Sequence, residues 1–426
     1  MNRLILSALL LAVFPGSHFA CAAEPAEPSR GEKLTSAAAQ HRLRLEYEDG
    51  VFSGPAYERL VAEGRAAQFF LIGEEHGIAE NPQLAGQLFT DLAQHGYSKL
   101  AIEVSPTMAW RLDTALADDG LDGLRALFAE PGGEPAFFGM QEEAMMLATV
   151  RAAASSGEPV LWGTDYEVAG DRQLLKLLAG EDKPAAAEAA LDALIAASTA
   201  SWAQYEETRS PQFIFSFAGD PALVRAVRDA WPDPDRQSAV ILDTLEQTLS
   251  VNNLWVQGKP WESNAARAAL QRENFLRYWR AARQSGDTPR VLAKLGASHL
   301  VRGLSQTAVY DLGTLLPEIA ALEGGRSVSV MVIPGKGAMI AGLDPAAWTY
   351  KPRPAEGSYL EGLGPLLRAA FDDAFTLIDL RALRSVVGMN RGDLDDELFR
   401  TIHGFDMLLV MSGSTPSAEL EHDDPR

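Results

Sequence analysis

The stretch "AQFFLIGEEHG", residues 67–77, decides how the chain is read: an apolar run stops at Glu74, Glu75 and His76, and a glycine closes it. A short, continuous apolar run is the pattern of a strand covered on both faces. Six more follow: "KLAIEV" (99–104), "PVLWG" (159–163), "VLAKLG" (291–296), "VSVMVIP" (328–334), "FTLIDL" (375–380) and "FDMLLVM" (405–411). Helix-like stretches separate them, as in "NPQLAGQLFTDLAQHG" (81–96), where Leu84, Leu88, Phe89 and Leu92 recur at helical spacing and Gly96 provides a stop. Strand, helix, strand predicts an α/β fold with a central, mostly parallel sheet flanked by helices. Residues 171–285 contain no strand run and are helical in composition, which predicts a helical insertion covering one face, its tryptophans 202, 255, 261 and 279 in the core.

Loops converge beyond the carboxyl ends of parallel strands, so chemistry is sought there. The first strand ends in Glu74-Glu75-His76 and the second in Glu103. The third gives Gly163-Thr164-Asp165, and the fourth Gly296-Ala297-Ser298-His299. Four successive tips each carry an acid, a histidine or both. Residues two apart in extended backbone point the same way, so Glu74 and His76 share a face and Glu75 turns aside. A carboxylate accepting from one imidazole nitrogen leaves the other free to take a proton from water. Glu74, His76, Glu103, Asp165 and His299 are also of the types that hold zinc, manganese or iron. A lone histidine at a strand tip is more often a satisfied polar residue; four such tips favour function. Glu80 fits a helix N-terminus equally well. Arg267, Arg272 and Arg302 are candidates for an anionic group, a solvated helix face being the plainer reading of the first two.

Asn2 and Arg3, the run "LILSALLLAVF" and "PGSHFACAAEP" read as a signal peptide over residues 1–22. This places the protein in the periplasm or outside the cell. The only cysteine, Cys21, offers lipid anchoring as the alternative to cleavage beside it. No later stretch approaches the roughly 18 apolar residues of a membrane span. Residues 23–45 are expected to be flexible, 46–415 to form one domain with the insertion inside it, and 416–426 to be a disordered tail. With 37 Lys and Arg against 58 Asp and Glu, the net charge of −21 argues against nucleic acid or an anionic membrane surface as partner. The sequence lacks Gly-x-Ser-x-Gly, Walker, Gly-x-Gly-x-x-Gly and His-Glu-x-x-His motifs, which removes several hydrolase and nucleotide-binding classes.

As a set, "LIGEEHGIAE", "LAIEVSP", "LWGTDYEVAG" and "KLGASHLVRG" resemble the erythromycin-esterase-like family, within the wider group that holds the ChaN haem-binding lipoproteins and the Tiki/TraB proteases. The likeness runs from about residue 65 to the C-terminus, where "FTLIDLRAL" and "FDMLLVMSGSTPS" look like the closing strands. It implies a sheet with helical hairpins over it and a cleft in which His76 is the water-activating base. Glu74, Glu103 and His299 match the other catalytic positions. By the same resemblance Glu80 is the acid four residues after His76, Arg267 the arginine of an R-x6-N helix ending at Asn274, and Asp165 part of the third-strand motif. With Glu75, these three are assigned to substrate binding. Ala85 stands where the macrolide esterases carry an arginine, and Gly296 where they carry the earlier distal histidine. Both departures argue against macrolide lactones as substrate.

Three readings follow. The first is an exported hydrolase of an ester, lactone or amide in a small molecule or peptide, needing no cofactor, with His76 as base, Glu74 and Glu103 orienting it, and His299 with Arg267 facing the oxyanion. The second is a Tiki/TraB-like peptidase or hydrolase with a divalent metal on Glu74, His76, Glu103 and His299. The third is a ChaN-like haem binder without catalysis.

Overall fold

The computed structural model describes residues 28–154, 157–355 and 358–421, so the expected signal segment lies outside the described residues. In chain order the strands are β1 Arg42–Glu48, β2 Val51–Ser53, β3 Phe69–Glu74, β4 Tyr97–Ile102, β5 Leu161–Gly163, β6 Arg290–Gly296, β7 Ser327–Pro334, β8 Met339–Asp344, β9 Thr349–Pro354, β10 Phe375–Asp379 and β11 Met407–Met411. Nine form one sheet in the order β2-β1-β10-β11-β7-β3-β6-β4-β5, and β8 with β9 makes a separate hairpin. From β11 to β5 neighbouring strands are parallel; β10, β1 and β2 extend one side antiparallel. Each of the seven apolar runs is a strand of this sheet.

β3 runs between β7 and β6, and its composition follows from that position. Phe70 and Ile72 pack with Leu84 and Leu88 of helix Glu80–Ala93 on one face, while Phe69 and Leu71 meet Phe275 and Trp279 of helix Pro260–Gln284 on the other. Each buried side chain of this kind contributes about 1.5–3 kcal/mol. A slip of one residue would exchange the two faces and carry Glu74 away from its partners. The cores on both faces therefore hold the first strand tip in place.

The structure departs from the sequence reading in four places. Residues within 23–45 are not all flexible: helix Arg30–Gln40 begins with a Ser29/Glu32 capping box and buries Leu34 and Ala38, and β1 pairs with β10. Those two side chains, with hydrogen bonds from Arg30 to the carbonyls of Val387 and Asn390, dock an otherwise polar helix. The tail is paired as far as the description extends, Pro416 bridging Ile78 and Glu419 bridging Met140. In the helical stretch only helix Pro260–Gln284 covers the sheet. Helices Asp171–Gly180, Ala185–Thr208, Pro221–Ala230 and Arg236–Val256 enclose a third core around Leu174, Leu191, Trp202 and Ile241. Trp202 and Trp279 are buried, but Trp255 and Trp261 are 54% and 57% exposed, one at the end of helix Arg236–Val256 and the other at the start of helix Pro260–Gln284. Among the described residues no helix is long and apolar enough to cross a membrane.

Candidate active site

The ends of β3, β4 and β6 meet because the strands are in register: Glu74 lies opposite Gly296, and Ile102, just before Glu103, lies opposite Lys294. After Glu74 the chain must turn sharply to leave the sheet. Gly77 has φ +87°, and a Cβ there would collide with the carbonyl oxygen of Ala341, so only glycine fits. The turn is held from outside as well, because the Ser417 N–H donates to the Gly77 carbonyl at 3.0 Å and the Ala79 N–H to the Thr415 carbonyl at 3.0 Å. His76 is thereby aimed into a cleft of about 200 Å³, whose lining includes Glu74, Glu75, Glu103, Gly296 and His299.

His76 donates from Nδ1 to Glu74 Oε1 at 3.0 Å. Its Nε2 is 3.7 Å from Glu103 Oε2, beyond hydrogen-bond length, and borders the cleft. The imidazole lies parallel to the Phe137 ring, 4.2 Å between centroids. Phe137 itself sits at φ +65°, an uncommon backbone for a bulky residue, where its N–H donates to Tyr350 Oη at 2.6 Å. Burial opposes charge on His76, but Glu74 and Glu103 outweigh it and raise the group above the ordinary 6.5.

Glu103 is the hub of the other half. Oε1 accepts from Arg267 Nη2 at 2.7 Å and lies 3.3 Å from His299 Nε2, while Oε2 accepts from the Gly296 N–H at 2.6 Å. Burial pushes its carboxyl up, yet His299, Arg267 and His76 together hold it well below the usual range. His299 Nδ1 meets Asp311 Oδ2 at 2.7 Å. Burial alone would lower His299; with Glu103 ahead of Asp311 on the raising side, it titrates at about 9 and is cationic at neutral pH. One carboxylate is thus flanked by a histidine with a free nitrogen and a histidine carrying charge.

The remaining expected site residues divide. Glu75 lines the cleft. Arg267 is turned to Asp165, with Nε at 3.0 and 3.1 Å from its two oxygens and Nη2 on Oδ2, as well as to Glu103. Asp165 is buried beneath it, so this pair braces Glu103 from behind instead of lining the cleft. Glu80 accepts from the Thr415 N–H at 3.0 and 3.1 Å and from its hydroxyl at 2.9 Å, and so anchors the C-terminal segment. Arg302 pairs with Asp406, and Arg272 donates to the Tyr310 carbonyl. Ala85 is buried in the core.

Sequence reasoning missed Asp311, Phe137 and Asn81, whose amide donates to Glu74 Oε2. It also missed Lys294, wholly buried, with Nζ at 2.6 Å from both Glu74 Oε1 and Glu143 Oε1. A lysine inside the run "VLAKLG" was the available signal. These cations bear on the metal reading: Lys294 is bonded to one carboxylate of the expected donor set, Glu74, and Arg267 to the other, Glu103. Among the described residues no group of three or more His, Cys, Asp or Glu is arranged to hold one.

No family model and no curated protein matches the sequence. Solved structures do match in shape. A Bacillus cereus protein shares 13% identity at a TM-score of 0.58, over 92% of this chain and 100% of that one. A mutant of the erythromycin esterase EreC in its open conformation shares 15% at 0.59, over 89% and 98%. A succinoglycan biosynthesis protein shares 11% at 0.53, over 92% and 99%. The chain therefore has the erythromycin-esterase-like α/β fold, with its central, mostly parallel sheet between helical layers.

Proposed function

We propose that this chain is an exported hydrolase that directs water onto an ester, lactone or amide of a small molecule, with His76 as general base. The observation that carries the reading is the split environment of His76: Nδ1 is fixed by Glu74, and Nε2 opens on the cleft. Water bound there gives a proton to Nε2 as its oxygen bonds to the substrate carbonyl carbon. The resulting oxyanion faces the positive charge of His299 across the cleft. As the tetrahedral intermediate collapses, the C–O or C–N bond breaks and His76 returns the proton to the leaving group. Glu103 touches neither proton; it fixes His299 and the Gly296 backbone. Likeness to the erythromycin esterase supports the hydrolase class, and Ala85 with Gly296 argues for a substrate other than a macrolide.

The test is hydrolysis of a panel of chromogenic esters, lactones and amides by residues 23–426, with and without chelator, beside His76→Ala. Turnover that chelator leaves intact and His76→Ala abolishes is the expected result. Equal turnover by His76→Ala, or none from the wild type across the panel, overturns the reading.

A further inference from the structure

Lys294 is the oddest residue of the sheet. β6 lies between β3 and β4, its neighbours in sequence are apolar, and Lys294 stands opposite Ile72 and Ile102. It is fully buried on the face of the sheet that carries Leu292 and Ile72. A lone ammonium there would be costly, and a methionine of similar length would pack at no such cost. Its Nζ divides itself between Glu74, which lines the cleft, and Glu143 at 2.6 Å each and lies 5.2 Å over the Phe138 ring. Glu143 comes from helix Gln141–Ala153, and its other oxygen is buried with no hydrogen-bond partner among the described residues.

The informative atom is Glu74 Oε1. It accepts from Lys294 and from His76 Nδ1 at once. Two donors on one oxygen compete, and an ammonium is the stronger. Every increment of positive charge at Lys294 weakens what Glu74 does for the imidazolium form of His76, and Glu143 is the counter-ion that limits it.

We propose that Lys294 and Glu143 are positioning residues that set the basicity of His76 through the shared oxygen of Glu74. Lys294 holds basicity down so that Nε2 is unprotonated when water arrives, and Glu143 keeps Lys294 from holding it too far down. This rests on His76 as the base. Burial pushes Glu143 up to about 7 against the pull of Lys294, so its charge is adjustable near neutrality. Lys294 lowers His76 while Glu74 and Glu103 raise it, the same directions as the geometry. The other groups facing this chain are Glu103, toward Nε2, and the Tyr350 phenol, which feels the charge of Glu143. Neither lies between Lys294 and Glu74.

The experiment is a titration of the His76 imidazole by proton–carbon NMR of its Cε1–H group, assigned with His76→Gln, in residues 23–426. Glu143→Gln keeps an acceptor for Lys294 but removes its counter-charge, so His76 should titrate about one pH unit lower. Lys294→Met combined with Glu143→Gln removes cation and counter-ion together and leaves no unpaired charge, so His76 should titrate about one unit higher. Opposite shifts are the expected result. A merely structural role leaves the titration unmoved in both variants, and that result, or shifts of the same sign, overturns the proposal. If the double variant fails to fold, Lys294→Arg with the single Glu143→Gln still decides: the arginine should keep His76 at its wild-type value. The readout needs no substrate. Opposite shifts in a protein that hydrolyses nothing would sink the hydrolase reading alone, and a fixed titration in an active enzyme would sink this proposal alone.

Discussion

The two histidines of the cleft share Glu103 and little else. His76 meets one carboxylate at hydrogen-bond distance and turns its second nitrogen to the open cleft, whereas His299 is clamped between Asp311 and Glu103. The first suits a proton acceptor and the second a fixed charge. The lesson is that surroundings, not residue type, separate the two roles, as they separate paired carboxylates in other acid–base sites.

The comparison breaks most visibly at His76. His76→Ala should lower kcat/KM on any hydrolysed substrate by about a thousandfold, the middle of what a positioned base supplies. A loss much smaller than that would mean that both histidines act as fixed charges. His299→Asn keeps a donor but loses the cation and should cost about a hundredfold, in kcat more than in KM, because an oxyanion exists only near the transition state. Equal losses in the two variants would erase the distinction.

Gly296→Ala sharpens it. The backbone there is at φ −52° and accepts a side chain, but the new Cβ would stand 3.3 Å from both His76 Nε2 and Glu103 Oε2. Steady-state kinetics should show about a tenfold fall with the fold intact, since water and imidazole are crowded apart. The smallest effect is in stability. His299 is raised in the folded protein from 6.5 to about 9, so its contribution is complete below pH 6.5 and lost as pH rises through about 9. Thermal unfolding should show Tm falling by a few degrees over that interval, and the fall should be reduced in His299→Asn. A flat profile in the wild type would contradict a charged His299.

How much was legible follows from which side chains meet water. The strands from β3 to β7, and β11, are apolar along most of their length because helices cover both faces, so their composition announces them. β1 reads "RLRLEYE" and is only partly buried; its alternating Leu43, Leu45 and Tyr47 were the signal, obscured by charge between them. In the site, Glu74, His76, Glu103 and His299 were legible because acids and histidines at strand tips have a topological meaning. Asp311, Phe137 and Glu143 were not, for they arrive on loops and on a helix whose approach to the cleft depends on packing. Asp165 and Arg267 were found together but face each other, a preference that only geometry reveals.

The C-terminal staple has a consequence in time. The turn that aims His76 is completed by Thr415 and Ser417, which take up the Gly77 carbonyl, the Ala79 N–H and Glu80 from more than three hundred residues away along the chain. β3 likewise needs β6 and β7 on its two sides. Contacts so distant in sequence form late. A chain emerging from its N-terminus therefore carries His76 without the contacts that orient its turn until residues 415–417 have followed.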